Sequence, residues 1–142
     1  LHDVLTVNGA GITSEYSNAN TVVIVLAETP YAEGVGDTNN PSLTTGNAHA
    51  ENAAALQLAA TAKADGKVVI GILLSGRPLI LGDHINHFDG FIAAWLPGSE
   101  GGLAISDVLF GDYDFTGKLP HSWPKSEEDF NRKLLRQYRA KK

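Results

Sequence analysis

From Thr21 to Ala27 the chain reads Thr-Val-Val-Ile-Val-Leu-Ala, an apolar, β-branched run without alternation. Such a run suits a strand buried on both faces of a parallel sheet, and it predicts a central strand here. After the polar stretch Thr38 to Ser42, His49 to Lys63 reads as an alanine-rich helix with Leu56 on a face of small residues, and Asp65-Gly66 supplies its stop. Lys67 to Leu74 is a second apolar run, so strand, helix and strand form one βαβ unit with a right-handed crossover expected. Phe91 to Trp95 predicts a third strand. Pro97-Gly98-Ser99 then leads into a helix from Glu100 to Phe110 that Gly111 terminates.

The flanks differ from this α/β body. Residues 1–20 hold one weak apolar stretch, Val4 to Val7, among Gly, Ser, Asn and Thr, and read as an irregular lead-in. Residues 21–124 carry the strands and helices. Residues 125–142 read as a basic helical tail, with Ser126 as N-cap, acids in the first turn, and Arg132, Lys133, Arg136 and Arg139 toward the far end, as the helix dipole favours. Three or four strands make a thin sheet, and nothing resembling an opening βα unit precedes the first. The chain reads as the later part of a larger α/β domain.

Composition narrows the chemistry. With 142 residues, 43% hydrophobic and 19% charged, the chain has the apolar content of one folded domain. No apolar run approaches the roughly 18 residues of a membrane span. The absence of cysteine excludes disulfides, thiolate metal sites and cysteine nucleophiles. The net charge of −5 is unevenly distributed. Residues 1–124 carry four basic side chains against thirteen acidic ones, whereas the rest carries seven against three. An acidic body without a basic stripe argues against nucleic-acid binding.

Directly after the first strand, Glu28-Thr29-Pro30-Tyr31-Ala32-Glu33-Gly34-Val35-Gly36-Asp37 places three carboxylates on a glycine-rich loop. In open parallel sheets ligands sit beyond the carboxyl ends of the strands, so this loop lies where a site belongs, and carboxylates suit general acid/base work. An acidic surface loop with turn glycines is the plainer alternative. His84 and His87, near Asp83 and Asp89, lack a third ligand of known geometry and read as solvated loop residues. Gly111 to Lys118 has the wrong glycine spacing for a P-loop, with Leu119 where Ser or Thr is required. No nucleophile elbow surrounds Ser75 or Ser99. Ser99-Glu100-Gly101-Gly102 reads as a helix cap rather than an anion site.

Five segments together are specific. Glu28 to Asp37, Leu74-Ser75-Gly76-Arg77-Pro78, Ala93 to Gly101, Ala104 to Asp112 and Thr116-Gly117-Lys118-Leu119-Pro120 occur in an order and spacing that resembles glycoside hydrolase family 3, closest to its β-glucosidase and exo-β-glucanase branch. The resemblance implies a three-layer α/β/α sandwich with a mostly parallel sheet, of which this chain forms the second half of a larger flavodoxin-like domain. It also implies a retaining hydrolase of non-reducing terminal β-D-glucosyl residues, without metal or cofactor. The nucleophilic aspartate would lie on a barrel domain of the same protein, and the substrate would be a β-glucoside or β-glucan. Family members are commonly exported, which implies a periplasmic or extracellular site.

By motif match Glu33 takes the acid/base role, with Glu28 at the strand's end as its competitor. Tyr31 and Trp95 are candidate sugar contacts, although an aromatic residue ending an apolar strand is more often core or interface. Asp37 is expected to order the loop through turn hydrogen bonds. Arg77 is expected to pair with a loop carboxylate, either Glu28 or Asp37. A domain of the same ancestry that binds carbohydrate or protein without catalysis is the alternative reading.

Overall fold

The computed structural model describes residues 16–48, 50–120 and 122–132. Three parallel strands, β1 (Thr21–Ala27), β2 (Val68–Leu74) and β3 (Gly90–Trp95), form one sheet in the order β1-β2-β3. Helix α1 (Asn52–Ala64) connects β1 to β2, and α2 (Gly101–Phe110) follows β3. The architecture is α/β, as the apolar pattern predicts, and each strand begins and ends within a residue of its expected limits. The expected start of α1 is corrected: His49 lies outside the described residues, Ala50 and Glu51 form a turn, and the helix begins at Asn52.

The expectation of a central β1 is corrected. Among the described residues β1 pairs only with β2, and β2 holds the middle. Burial along β1 alternates. Val22, Ile24 and Leu26 are buried, while Val23 is half-buried and Val25 is 40% exposed. An unbroken apolar run signals that both faces can be covered, but here α1 covers one face and no described element seals the other at Val25.

The core forms beneath α1. Val22, Ile24, Leu26, Val69 and Leu73 from the strands meet Leu56, Ala59 and Ala62 from the helix, with Leu43 and Leu79 closing the cluster from the connecting loops. Ala59 and Ala62 are fully buried. Side chains this small let the helix axis approach the sheet, which explains why an alanine-rich helix is selected here. The expected stop holds, since the Gly66 and Lys67 amides donate to the carbonyls of Lys63 and Ala62.

Gly111 terminates α2 in the left-handed conformation, φ 84°, which glycine adopts without a Cβ penalty. The expected side-chain cap at the start of α2 is not formed. Glu100 occupies the cap position without a side-chain hydrogen bond, and the turn is held by the Gly101 amide donating to the Gly98 carbonyl at 3.3 Å.

Of the lead-in, residues 16–20 are irregular, and Leu1 to Glu15, including Val4 to Val7, lie outside the described residues. Tyr16 Oη donates to Asp65 Oδ2 at 2.8 Å, and Asn20 O accepts the Val68 amide at 3.0 Å, so this segment lies against the end of α1 and the start of β2. At the other end, residues 127–132 are helical. Ser126 caps them through its Oγ, which accepts from the Asp129 amide at 3.1 Å, while Asp129 Oδ2 accepts from the Lys125 amide at 3.1 Å. Lys133, Arg136 and Arg139 lie outside the described residues.

Candidate active site

The parallel register sets Ala27 beside Leu74 and Leu74 beside Trp95, so the carboxyl ends of all three strands come together. The residues that follow them, Glu28, Ser75 and Leu96, therefore share one end of the sheet. The Glu28 amide extends the ladder by donating to Leu74 O at 3.0 Å, and the Ser75 amide does the same to Trp95 O at 3.1 Å.

Glu28 is buried and engaged. Its side chain is 4% exposed. Arg77 donates to Glu28 Oε1 from Nε at 3.0 Å and from Nη2 at 2.7 Å, and Ser75 Oγ lies 2.5 Å from Oε2. Arg77 also donates from Nη1 to the Gly36 carbonyl. Its guanidinium carbon sits 4.5 Å from the centre of the Tyr31 ring, a cation–π contact. Of the two partners expected for Arg77, the structure selects Glu28.

Tyr31 packs on the loop that contains it. A Cβ at Gly36 would fall 2.3 and 2.5 Å from two Tyr31 ring carbons, so only glycine allows this approach. Burial, foremost, and the neighbouring Glu28 carboxylate push the Tyr31 phenol above its ordinary value, against the pull of Arg77. One ring face therefore meets Arg77 and the ring lies against Gly36.

Glu33 contrasts with Glu28. It begins a single 3-10 turn, Glu33–Gly36, is solvent-exposed, and has φ 45°, in the left-handed region where a residue with a Cβ is strained. The turn is closed by the Asp37 amide donating to Gly34 O at 3.2 Å, so Asp37 orders the loop through its main chain rather than its carboxylate. From the far side Asn47 Nδ2 donates to Val35 O at 3.1 Å, and the Thr29 amide donates to Asn47 O at 2.7 Å. Glu28, Asp37, Asn47 and Arg77 line a cleft of about 110 Å³. That volume is below the roughly 300 Å³ of ordinary small-molecule pockets.

Trp95 ends β3 with φ 55°, at the irregularity where the β2–β3 register slips. Its ring centre lies 5.9 Å from that of Trp123, whose Nε1 donates to Leu79 O at 2.7 Å. Trp95 is half-buried and packed against a second indole. His84 and His87 are tilted with ring centres 5.8 Å apart, and Asp89 is held by Lys63 and the Val69 amide. Among the described residues no three His, Asp or Glu side chains converge.

Two supporting residues are not evident from the sequence. Ser75 is part of a family motif without an individual role assigned from the sequence, yet it braces Glu28, and the parallel pairing of β1 with β2 is the signal that places them together. Asn52 is 2% exposed and lies one turn before Leu56 on the buried stripe of α1. Its Nδ2 donates to Ala27 O at 2.8 Å and Leu43 O at 2.9 Å, and its Oδ1 accepts from the Ala27 amide at 3.1 Å. The Asn52 side chain thus clamps the strand end carrying Glu28.

The profile described as "Glycosyl hydrolase family 3 C-terminal domain" matches residues 8–142. The chain belongs to glycoside hydrolase family 3. The periplasmic beta-glucosidase of Salmonella typhimurium is 50% identical over 64 residues, 45% of this chain and 8% of that protein. The lysosomal beta glucosidase of Dictyostelium discoideum is 35% identical over 113 residues, 79% of this chain and 13% of that protein. Among solved structures, the exo-1,3/1,4-beta-glucanase of a Pseudoalteromonas species matches with a TM-score of 0.72 at 41% identity, covering 90% of this chain and 17% of that one. The chain therefore spans less than a fifth of each of these family 3 relatives. Its three parallel strands and helices are those of the family's C-terminal domain.

Proposed function

We propose that the chain is the acid/base-bearing part of a retaining β-glucosidase or exo-β-glucanase acting on non-reducing terminal β-D-glucosyl residues. Glu33 is the acid/base. The observation that carries this is the division of labour on the loop: Glu28 is buried against Arg77 and Ser75, whereas Glu33 stands exposed on strained backbone beyond the strand end. A carboxyl group committed to a guanidinium fork is poorly placed to pass a proton to a leaving oxygen, and an exposed one is well placed. Tyr31, within the loop, and Trp95, at the end of β3, are the candidate sugar contacts.

Retaining hydrolysis needs a second carboxylate about 5–5.5 Å from the first, to attack the anomeric carbon from the opposite side. An aspartate on a barrel domain of the same protein would supply it. Glu33 first protonates the departing oxygen, then takes a proton from the water that releases the sugar. Leu96 at 78%, Phe115 at 66% and Tyr113 at 62% exposure give the sheet's carboxyl-end region and the segment after α2 apolar surface suited to such a domain. The name of the Salmonella relative supports export to the periplasm or beyond.

The test uses the polypeptide that joins this chain to a barrel. Glu33→Gln lowers kcat/KM for alkyl β-glucosides by about 10²–10⁴-fold, the worth of general acid catalysis, and leaves dinitrophenyl β-glucoside nearly untouched because that leaving group departs without a proton. An equal loss on both substrates refutes the acid role. The 142-residue chain by itself is expected to turn over neither.

A further inference from the structure

We propose that Arg77 and Glu28 are a positioning pair for the acid/base loop, an inference that rests on Glu33 as the acid/base. Glu33 occupies a backbone conformation that an isolated loop would abandon, since φ 45° is unfavourable for a residue with a Cβ. Such a conformation persists only where the chain on either side is held. Arg77 holds it at three places: Glu28 before the loop through the guanidinium fork, Tyr31 through the ring face, and Gly36 through its carbonyl. Glu33 lies between the second and third.

The planar guanidinium is required for this. Nε and Nη2 lie along one edge and address Glu28, Nη1 points to the Gly36 carbonyl, and the flat face remains for Tyr31. A lysine ammonium could meet one of these partners and not all three. Glu28 in turn keeps Arg77 fixed, being 4% exposed and braced at Oε2 by Ser75. Ser75 is itself fixed by accepting the Arg77 amide at 3.2 Å. Acid catalysis is sensitive to such support, because a displacement of about 1 Å at the reacting group costs about 100-fold.

The experiment compares wild type with Arg77→Lys, Glu28→Gln and Glu33→Gln in the polypeptide that joins this chain to a barrel. It measures kcat/KM on methyl and dinitrophenyl β-glucosides, with thermal melts to establish folding. Arg77→Lys is expected to lose about 10–100-fold on the methyl glucoside and less than about threefold on the dinitrophenyl glucoside. Glu28→Gln should show the same selectivity, so that either folded variant decides the question if the other does not fold. A general disturbance of structure would lower both substrates together and so would overturn the pair's role. So would unchanged rates in both variants while Glu33→Gln retains its selective loss, an outcome that leaves Glu33 as acid/base. If Glu33→Gln itself loses both substrates equally, the acid/base assignment fails and the positioning role fails with it.

Discussion

Replacing Asn52 by alanine removes the clamp between α1 and the end of β1. The side chain is 2% exposed and makes three hydrogen bonds, to the Ala27 carbonyl, the Leu43 carbonyl and the Ala27 amide. Each bond contributes about 1 kcal/mol net. Alanine's better helix propensity returns about 0.5 kcal/mol, which leaves a loss of about 2.5 kcal/mol. Against a total stability of about 5–15 kcal/mol this is a large fraction. Urea denaturation of the chain followed by far-ultraviolet circular dichroism should show a lower midpoint at unchanged slope. Asn52→Asp separates the donor bonds from the acceptor bond. It can still accept from the Ala27 amide, but it loses both donors and brings a charge against two carbonyls, so it should destabilise at least as much as alanine. A loss below about 1 kcal/mol for Asn52→Ala, or a milder effect for Asn52→Asp, would refute the clamp.

Gly36→Ala places a Cβ within 2.5 Å of the Tyr31 ring and forces the ring off Gly36, at a cost of about 1–3 kcal/mol. Adding Tyr31→Ala should cancel much of that cost, and strict additivity in a double-mutant cycle would show that the ring is not the obstacle. Asp89 is held below its ordinary pKa, first by the Lys63 hydrogen bond and then by the Val69 amide. A depressed carboxylate stabilises the fold above its unfolded pKa and ceases to do so as pH falls through the folded value, so this contribution begins to fall below about pH 4 and is lost at lower pH. The difference in Tm between wild type and Asp89→Asn should therefore shrink from about pH 5 to about pH 2, whereas a pH-independent difference would contradict the ion pair.

The structure joins the buried core to the acidic loop through adjacent residues. Asn52 grips Ala27, and the next residue, Glu28, grips Arg77, which in turn holds Tyr31 and Gly36 on either side of Glu33. Disturbance at the buried end of this chain of contacts should reach the loop.

The strand limits, the parallel βαβ unit, the stops at Gly66 and Gly111 and the family itself were legible in the amino-acid sequence, whereas the start of α1 was not. Each depends on local quantities, namely the length of an apolar run, the position of a glycine, or a motif whose residues are neighbours in the chain. Which strand occupies the middle was not legible, because an apolar run such as Thr21 to Ala27 records that burial is tolerated and not which element supplies it. Nor could the sequence choose Glu28 over Asp37 for Arg77. That choice follows from the β1–β2 register, which places Ser75 and Arg77 beside a residue 49 positions away in the chain from Arg77. The buried role of Asn52 and the strained backbone of Glu33 have the same origin. They arise where distant segments meet, and only the folded chain fixes which polar group faces which.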